Sequence, residues 1–130
     1  MKLTHGLSDA EVQCRCGCMQ GFLTLPTLIR YTALRIFINR GLHISSAYRC
    51  PVHNMNEKGS PVSQHMIGRA LDIHRPKNMD QQVFRKICGM FFETVISYEW
   101  GCHVDTRTDD CSIENIKAVV KLCHSILKQN

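Results

Sequence analysis

Ser63-Gln64-His65-Met66-Ile67-Gly68-Arg69-Ala70-Leu71-Asp72 brings an imidazole and a carboxylate into one short stretch of chain. Gly68 lets the backbone turn sharply between them, and Ala70 lets it pass close to its neighbours. Residues 70–74 read as a strand closed by Pro76, from which Asp72 points inward. A third donor follows in Cys102-His103-Val104-Asp105, about thirty residues further on. Two histidines and one aspartate make the donor set of a zinc site that holds the ion with three protein ligands and leaves the fourth position to water.

Outward from this stretch the pattern gives a small mixed sheet with helices beside it. Upstream, Thr24 can cap a helix with Pro26 in its first turn and Leu25, Leu28, Ile29, Ile36 and Phe37 along one stripe, ended by Gly41. A strand over 43–48 precedes the Arg49-Cys50-Pro51 punctuation, and 54–61 reads as an exposed polar loop. Downstream, Asn78 or Asp80 caps a helix that turns Val83, Ile87, Met90 and Phe91 inward. Strands over 95–98 and 102–106 meet at a tight turn at Gly101. A last helix from Ser112 carries Ile113, Ile116, Val119, Val120, Cys123 and Leu127 at helical spacing. Gly6, Gly17 and Gly21 break any period in the first two dozen residues, so 1–24 reads as an irregular arm with a cysteine-bearing loop. A chain of 130 residues has room for a single domain, 1–130.

The pattern S-x-H-x-x-G-x-A-x-D followed by a later H-x-D resembles the zinc D-alanyl-D-alanine carboxypeptidase family, which includes VanY-like enzymes and phage endolysins. Ser45-Ser46-Ala47-Tyr48-Arg49-Cys50-Pro51 with Asn54 is similar to that family's S-x-Y-R segment, and C-H-V-D-T-R at 102–107 is similar to the ending of its small, phage-associated branch. The resemblance implies an α+β fold with a small, mainly antiparallel sheet flanked by helices, shared with the hedgehog signalling domain. It implies that His65, Asp72 and His103 hold Zn2+, that Arg49 pairs with a substrate carboxylate or the developing oxyanion, and that Ser63 sits beside ligand or substrate. The activity implied is hydrolysis of peptidoglycan stem peptides, of D,D-carboxypeptidase or endopeptidase type. The alternative is a catalytically silent zinc module that binds wall fragments or a protein partner.

Relatives in that family place an acidic general base three residues before the last histidine ligand; here that position is Trp100. Glu99 lies one residue further back, and a bulge at Gly101 would bring it to the hydrolytic water. Asp105, two residues past His103, faces the same way in a regular strand and competes for that role or orients the ligand. The reading takes Glu99 as base and Asp105 as the orienting carboxylate. His74, two residues beyond Asp72, and His53, after the Arg49 segment, are weaker substrate-side candidates for which an ordinary surface role is favoured.

The net charge of +5 suits an anionic partner such as the bacterial wall, but the basic residues, Arg30, Arg35 and Arg40 among them, are scattered as on solvated helix faces. No Lys/Arg run interleaved with aromatics points to nucleic acid. Nowhere do about 18 apolar residues run together, so no membrane insertion is expected. No apolar export signal is visible, so the product is expected to be made in the cytoplasm and to reach the wall by release or delivery, as a monomer. Of eight cysteines, Cys88 and Cys123 read as small buried hydrophobes. Cys14, Cys16 and Cys18 with Cys50 could hold a second, structural zinc, but C-x-C-x-C is tighter than the usual spacing. Unligated thiols or a disulfide to Cys50 are favoured.

Overall fold

Register across one four-stranded sheet positions everything that follows. The computed structural model describes residues 2–4 and 7–129, so His5 lies outside the described residues. The chain is α+β, in the order β1 Lys2–Thr4, β2 Leu7–Ser8, α1 Asp9–Val12, α2 Leu25–Ile38, β3 Ile44–Ser46, α3 Pro51–Asn56, a 3-10 turn Gln64–Ile67, β4 Ala70–His74, α4 Gln81–Phe91, β5 Thr94–Ser97, β6 Gly101–Asp105 and α5 Ile113–Lys128. The main sheet runs β3-β4-β6-β5 with every neighbouring pair antiparallel, and β1 and β2 form a separate small ladder. The expected α+β class with a mainly antiparallel sheet is what the chain adopts.

Alternation along the strands divides the sheet. Ile44, Leu71, Ile73, Cys102 and Val104 are fully buried in one core with Tyr31 and Leu34 of α2, Phe84, Cys88 and Phe91 of α4, and Val119 and Cys123 of α5. Cys88 and Cys123 are the buried small residues that the sequence suggests. The opposite face of the sheet carries the polar residues described below. No helix among the described residues is long and apolar enough to cross a membrane.

Several local expectations are corrected. Residues 2–4 and 7–12 fall into β1, β2 and α1 rather than an irregular arm, and Ser8 and Glu11 form a reciprocal capping box that starts α1. Residues 51–56 are helical rather than loop: Pro51 fills the first helical position, and the Cys50 Sγ accepts the His53 N–H. Asn54 is correspondingly buried, its side chain bridging Arg49 and the Ser60 carbonyl. Helix α2 stops at Ile38, before Gly41, because Asn39 takes the left-handed conformation (φ 56°) that ends it. Helix α4 buries Phe84, Cys88 and Phe91 and leaves Val83 exposed, so its inward face is rotated from the expected one; in α5, Ile113 and Val120 are likewise exposed. Arg30 is buried rather than solvated, paired with Asp109 at 2.8 Å.

Candidate metal centre

Strand β4 meets β6 with Asp72 directly opposite His103, and directly opposed residues in an antiparallel ladder project from the same face. Ser46 of β3 and Ile96 of β5 extend the same row. Two of the three expected ligands are thus fixed by backbone pairing alone. The third, His65, comes from the 3-10 turn beside the sheet. Ser63 opens that turn, its Oγ accepting the His65 N–H at 3.3 Å, and the Arg49 N–H donates to the His65 carbonyl at 3.1 Å. Gly68 closes it at φ 70°, where a Cβ would stand 2.7 Å from the Phe22 ring, so the position needs glycine for conformation and for space.

Hydrogen bonds settle which nitrogen of each histidine faces the centre. The His65 Nδ1 lies 2.7 Å from the Ala47 carbonyl, which can only accept; Nδ1 therefore carries a proton, and Nε2 faces Asp72, 3.3 Å from its Oδ1. His103 presents Nδ1 to the same Oδ1 at 3.0 Å and Nε2 to Asp105 Oδ2 at 2.8 Å. His65 Nε2, Asp72 Oδ1 and His103 Nδ1 converge, all lying within 4.8 Å of one another. Each imidazole has its other nitrogen bound to an oxygen, the arrangement that orients metal-binding histidines.

Burial pushes the Asp72 carboxyl up, but hydrogen bonds from His103 and His65 and their charge prevail, holding it below the usual carboxylate range. Burial pulls the His103 imidazole down, but its hydrogen bonds to Asp105 and Asp72, and their charge, push it up to about 9. In the metal-free protein His103 therefore keeps its proton to about that pH, and a metal must displace it. Zinc affinity should rise by about tenfold per pH unit as one proton is displaced, then level off above about pH 9. Competition against a chromophoric chelator across pH 6–9, corrected for the chelator's own titration, measures the slope; a flat profile would remove His103 from the ligand set.

Asp105 is buried, and both of its oxygens are engaged: Oδ2 meets His103 Nε2 and, at 2.7 Å, Arg107 Nη2, while Oδ1 accepts the Arg107 backbone N–H at 3.1 Å. It holds the His103 imidazole and is not on the cleft wall.

The three converging side chains line a cleft of about 380 Å³ with Arg49, Ser63, Gln64, Tyr98, Trp100 and Arg107. Arg49 is steadied by Asn54 Oδ1 at 3.0 Å and Ser46 Oγ at 3.4 Å. Gln64 Oε1 is buried there without a hydrogen-bond partner among the described residues. Glu99 is exposed in the β5–β6 turn; its neighbours Tyr98 and Trp100 line the cleft, and Glu99 does not. Nor do the two weaker candidates: His53 sits on α3, 3.9 Å from Glu57, and His74 packs edge-on against His43 and tilted against Trp100. The residues that sequence reasoning overlooked are Gln64, Tyr98, Trp100 and Arg107. Arg107 lay within the quoted C-H-V-D-T-R block, but nothing in one sequence tells a cleft arginine from a surface one.

Three donors converging on an open cleft over an antiparallel sheet make a candidate metal centre with room for a further ligand. Residues 5–105, most of the chain, match the family model for peptidase M15, and the chain belongs to that family of zinc-dependent metallopeptidases, which act on peptidoglycan peptides. Comparison with curated proteins and with solved structures gave no match.

Proposed function

We propose that the protein hydrolyses a peptide bond in bacterial peptidoglycan stems, as a D,D-carboxypeptidase or endopeptidase of phage or prophage origin that acts on the wall after release or delivery. The observation that carries this reading is the convergence of His65 Nε2, Asp72 Oδ1 and His103 Nδ1 in a cleft flanked by two arginines. The donor set fits zinc: two imidazoles with their remote nitrogens already occupied and one carboxylate kept ionised. Bound there, zinc supplies a Lewis acid that polarises the scissile carbonyl and lowers the pKa of water.

The chain's own residues do the rest. Arg49 and Arg107 offer planar guanidinium groups to a stem-peptide carboxylate and to the charge that develops on the carbonyl oxygen. Gln64 Oε1, an acceptor without a partner, takes a substrate N–H. Asp105 holds His103 in register. Glu99, on the turn that edges the cleft, takes the proton from the attacking water and returns it to the leaving amine. Glu99→Gln should lower kcat by about 10²–10⁴ with zinc content unchanged; an unaltered kcat would take Glu99 out of the mechanism.

A second reading, the silent zinc module, is favoured by one observation: Trp100 stands three residues before His103, and Glu99 does not line the cleft. Zinc content and release of amino acids or fragments from purified peptidoglycan, in wild type and His65→Ala, decide between them. Metal-dependent cleavage lost in the variant supports the peptidase, and the fragments name the bond. Zinc retained without cleavage across several wall chemotypes supports the module.

A further inference from the structure

Away from the cleft, the loop after α1 folds back so that Cys14, Cys16 and Cys18 meet Cys50, which caps α3. All four Sγ atoms lie within 4.8 Å of one another, with Cys14 to Cys16 at 3.4 Å and Cys16 to Cys50 at 3.7 Å. A tetrahedral ion with Zn–S bonds of about 2.3 Å spaces its sulfurs about 3.8 Å apart. A disulfide would need about 2.05 Å and would use only two of the four. The eight cysteines are all free thiols.

Two further features fit ligated sulfur. Backbone N–H groups point at it: Cys50 N–H donates to Cys14 Sγ and His53 N–H to Cys50 Sγ, each at 3.4 Å. Such bonds favour the charged form of the acceptor, as a thiolate ligand requires. The loop is also shaped around the four sulfurs. Gly17 turns at φ 87° between Cys16 and Cys18, the Cys14 N–H closes the loop on the Gln20 carbonyl at 2.8 Å, and Arg15 ties it to the carbonyls of Ile44 and Ser45. Among the described residues the buried apolar cluster beneath is Cys14, Tyr48 and Cys50, too little to hold such a loop by burial alone.

We propose that Cys14, Cys16, Cys18 and Cys50 bind a second zinc ion as a four-thiolate structural site that clamps the 13–24 loop to the wall of the cleft. On binding, each thiol gives its proton to solvent as its sulfur bonds the ion, leaving Zn2+ with four thiolates and a net charge of −2. The clamp reaches the cleft by two routes. Cys50 adjoins Arg49, and Phe22, at the far end of the loop, packs against Tyr48 with ring centroids 5.1 Å apart and lies against Gly68, which closes the His65 turn. C-x-C-x-C is too tight for a regular knuckle, but the positive φ at Gly17 and a fourth thiolate from a separate segment supply the geometry.

The site is independent of the catalytic reading, and its test separates the two. The full chain is prepared with zinc under reducing conditions, and metal per chain is measured for wild type, His65→Ala and Cys16→Ser/Cys18→Ser, whose replaced side chains are exposed. Wild type should hold two equivalents and each variant one. Cobalt substituted into His65→Ala should give thiolate-to-metal charge-transfer absorption in the near ultraviolet, absent from Cys16→Ser/Cys18→Ser. A single equivalent in wild type that vanishes in His65→Ala, or an intact mass two hydrogens light with a Cys50 disulfide, overturns the proposal. Should the double variant fail to fold, wild type and His65→Ala decide alone.

Discussion

Asp72→Ala is expected to abolish zinc binding at the cleft and peptide hydrolysis together, whereas Asp105→Ala should leave both measurable. The two carboxylates look alike in sequence, each next to a branched apolar residue on a strand, but they stand on opposite sides of the His103 ring. Asp72 Oδ1 is shared between His65 Nε2 and His103 Nδ1 and is the one anionic donor of the converging group. Its removal leaves two neutral donors and exposes the facing imidazoles to each other. Losing a Lewis acid worth several kcal/mol of transition-state stabilisation corresponds to a fall in kcat/KM of at least about 10³. Asp105 reaches the ion only through His103; residues in that position typically change metal affinity or activity by about 10–100-fold. Zinc titration and steady-state kinetics on both variants give the comparison. Equal losses would mean that Asp105 is itself a ligand or that Asp72 is not.

How far the sequence reads through to this centre depends on the kind of constraint involved. The convergence of His65, Asp72 and His103 was legible because donor type and spacing are chemical requirements that survive without tertiary knowledge. Strand β4 was legible to the residue, since Gly68 and Pro76 punctuate it. The tightness of the β5–β6 turn was legible, but not the single-residue register that makes Asp72 and His103 partners, which moves β5 to 94–97 and β6 to 101–105. The rotation of α4 was lost for a similar reason: Val83 and Phe84 both suit a core position, and only the sheet beneath chooses Phe84. Side-chain hydrogen bonds were the least legible. The Ala47 carbonyl that fixes the His65 tautomer and the Asn54 amide that steadies Arg49 join positions 18 and 5 residues apart. Arg30 failed on the same ground, because its partner lies 79 residues downstream.

That partner makes the second large prediction, this one in stability. Arg30 of α2 donates from Nε to Asp109 Oδ2 at 2.8 Å, from Nη2 to Asp109 Oδ1 at 3.3 Å, and from Nη1 to the Phe91 carbonyl at the end of α4. Both side chains are buried, at 4% and 8% exposure. The pair joins α2, α4 and the segment after β6, where Thr27 also meets Thr106 at 2.7 Å. Asp109→Ala leaves a guanidinium without its counter-charge in a site it cannot leave without dragging α2 outward. Breaking one half of a buried pair costs about 3–5 kcal/mol, which for a domain of this size lowers Tm by roughly 10–20 °C. Replacing both charges, as in Arg30→Met/Asp109→Leu, removes the desolvation cost along with the attraction and should recover most of that loss. Thermal and urea unfolding of the three proteins, each with its zinc content matched, tests this. A double variant no more stable than Asp109→Ala would show that the fold depends on the hydrogen bonds to Phe91 and the loop rather than on the balance of buried charge. The cleft is expected to report the same damage, since Asp105 and Arg107 immediately precede the segment that this pair anchors.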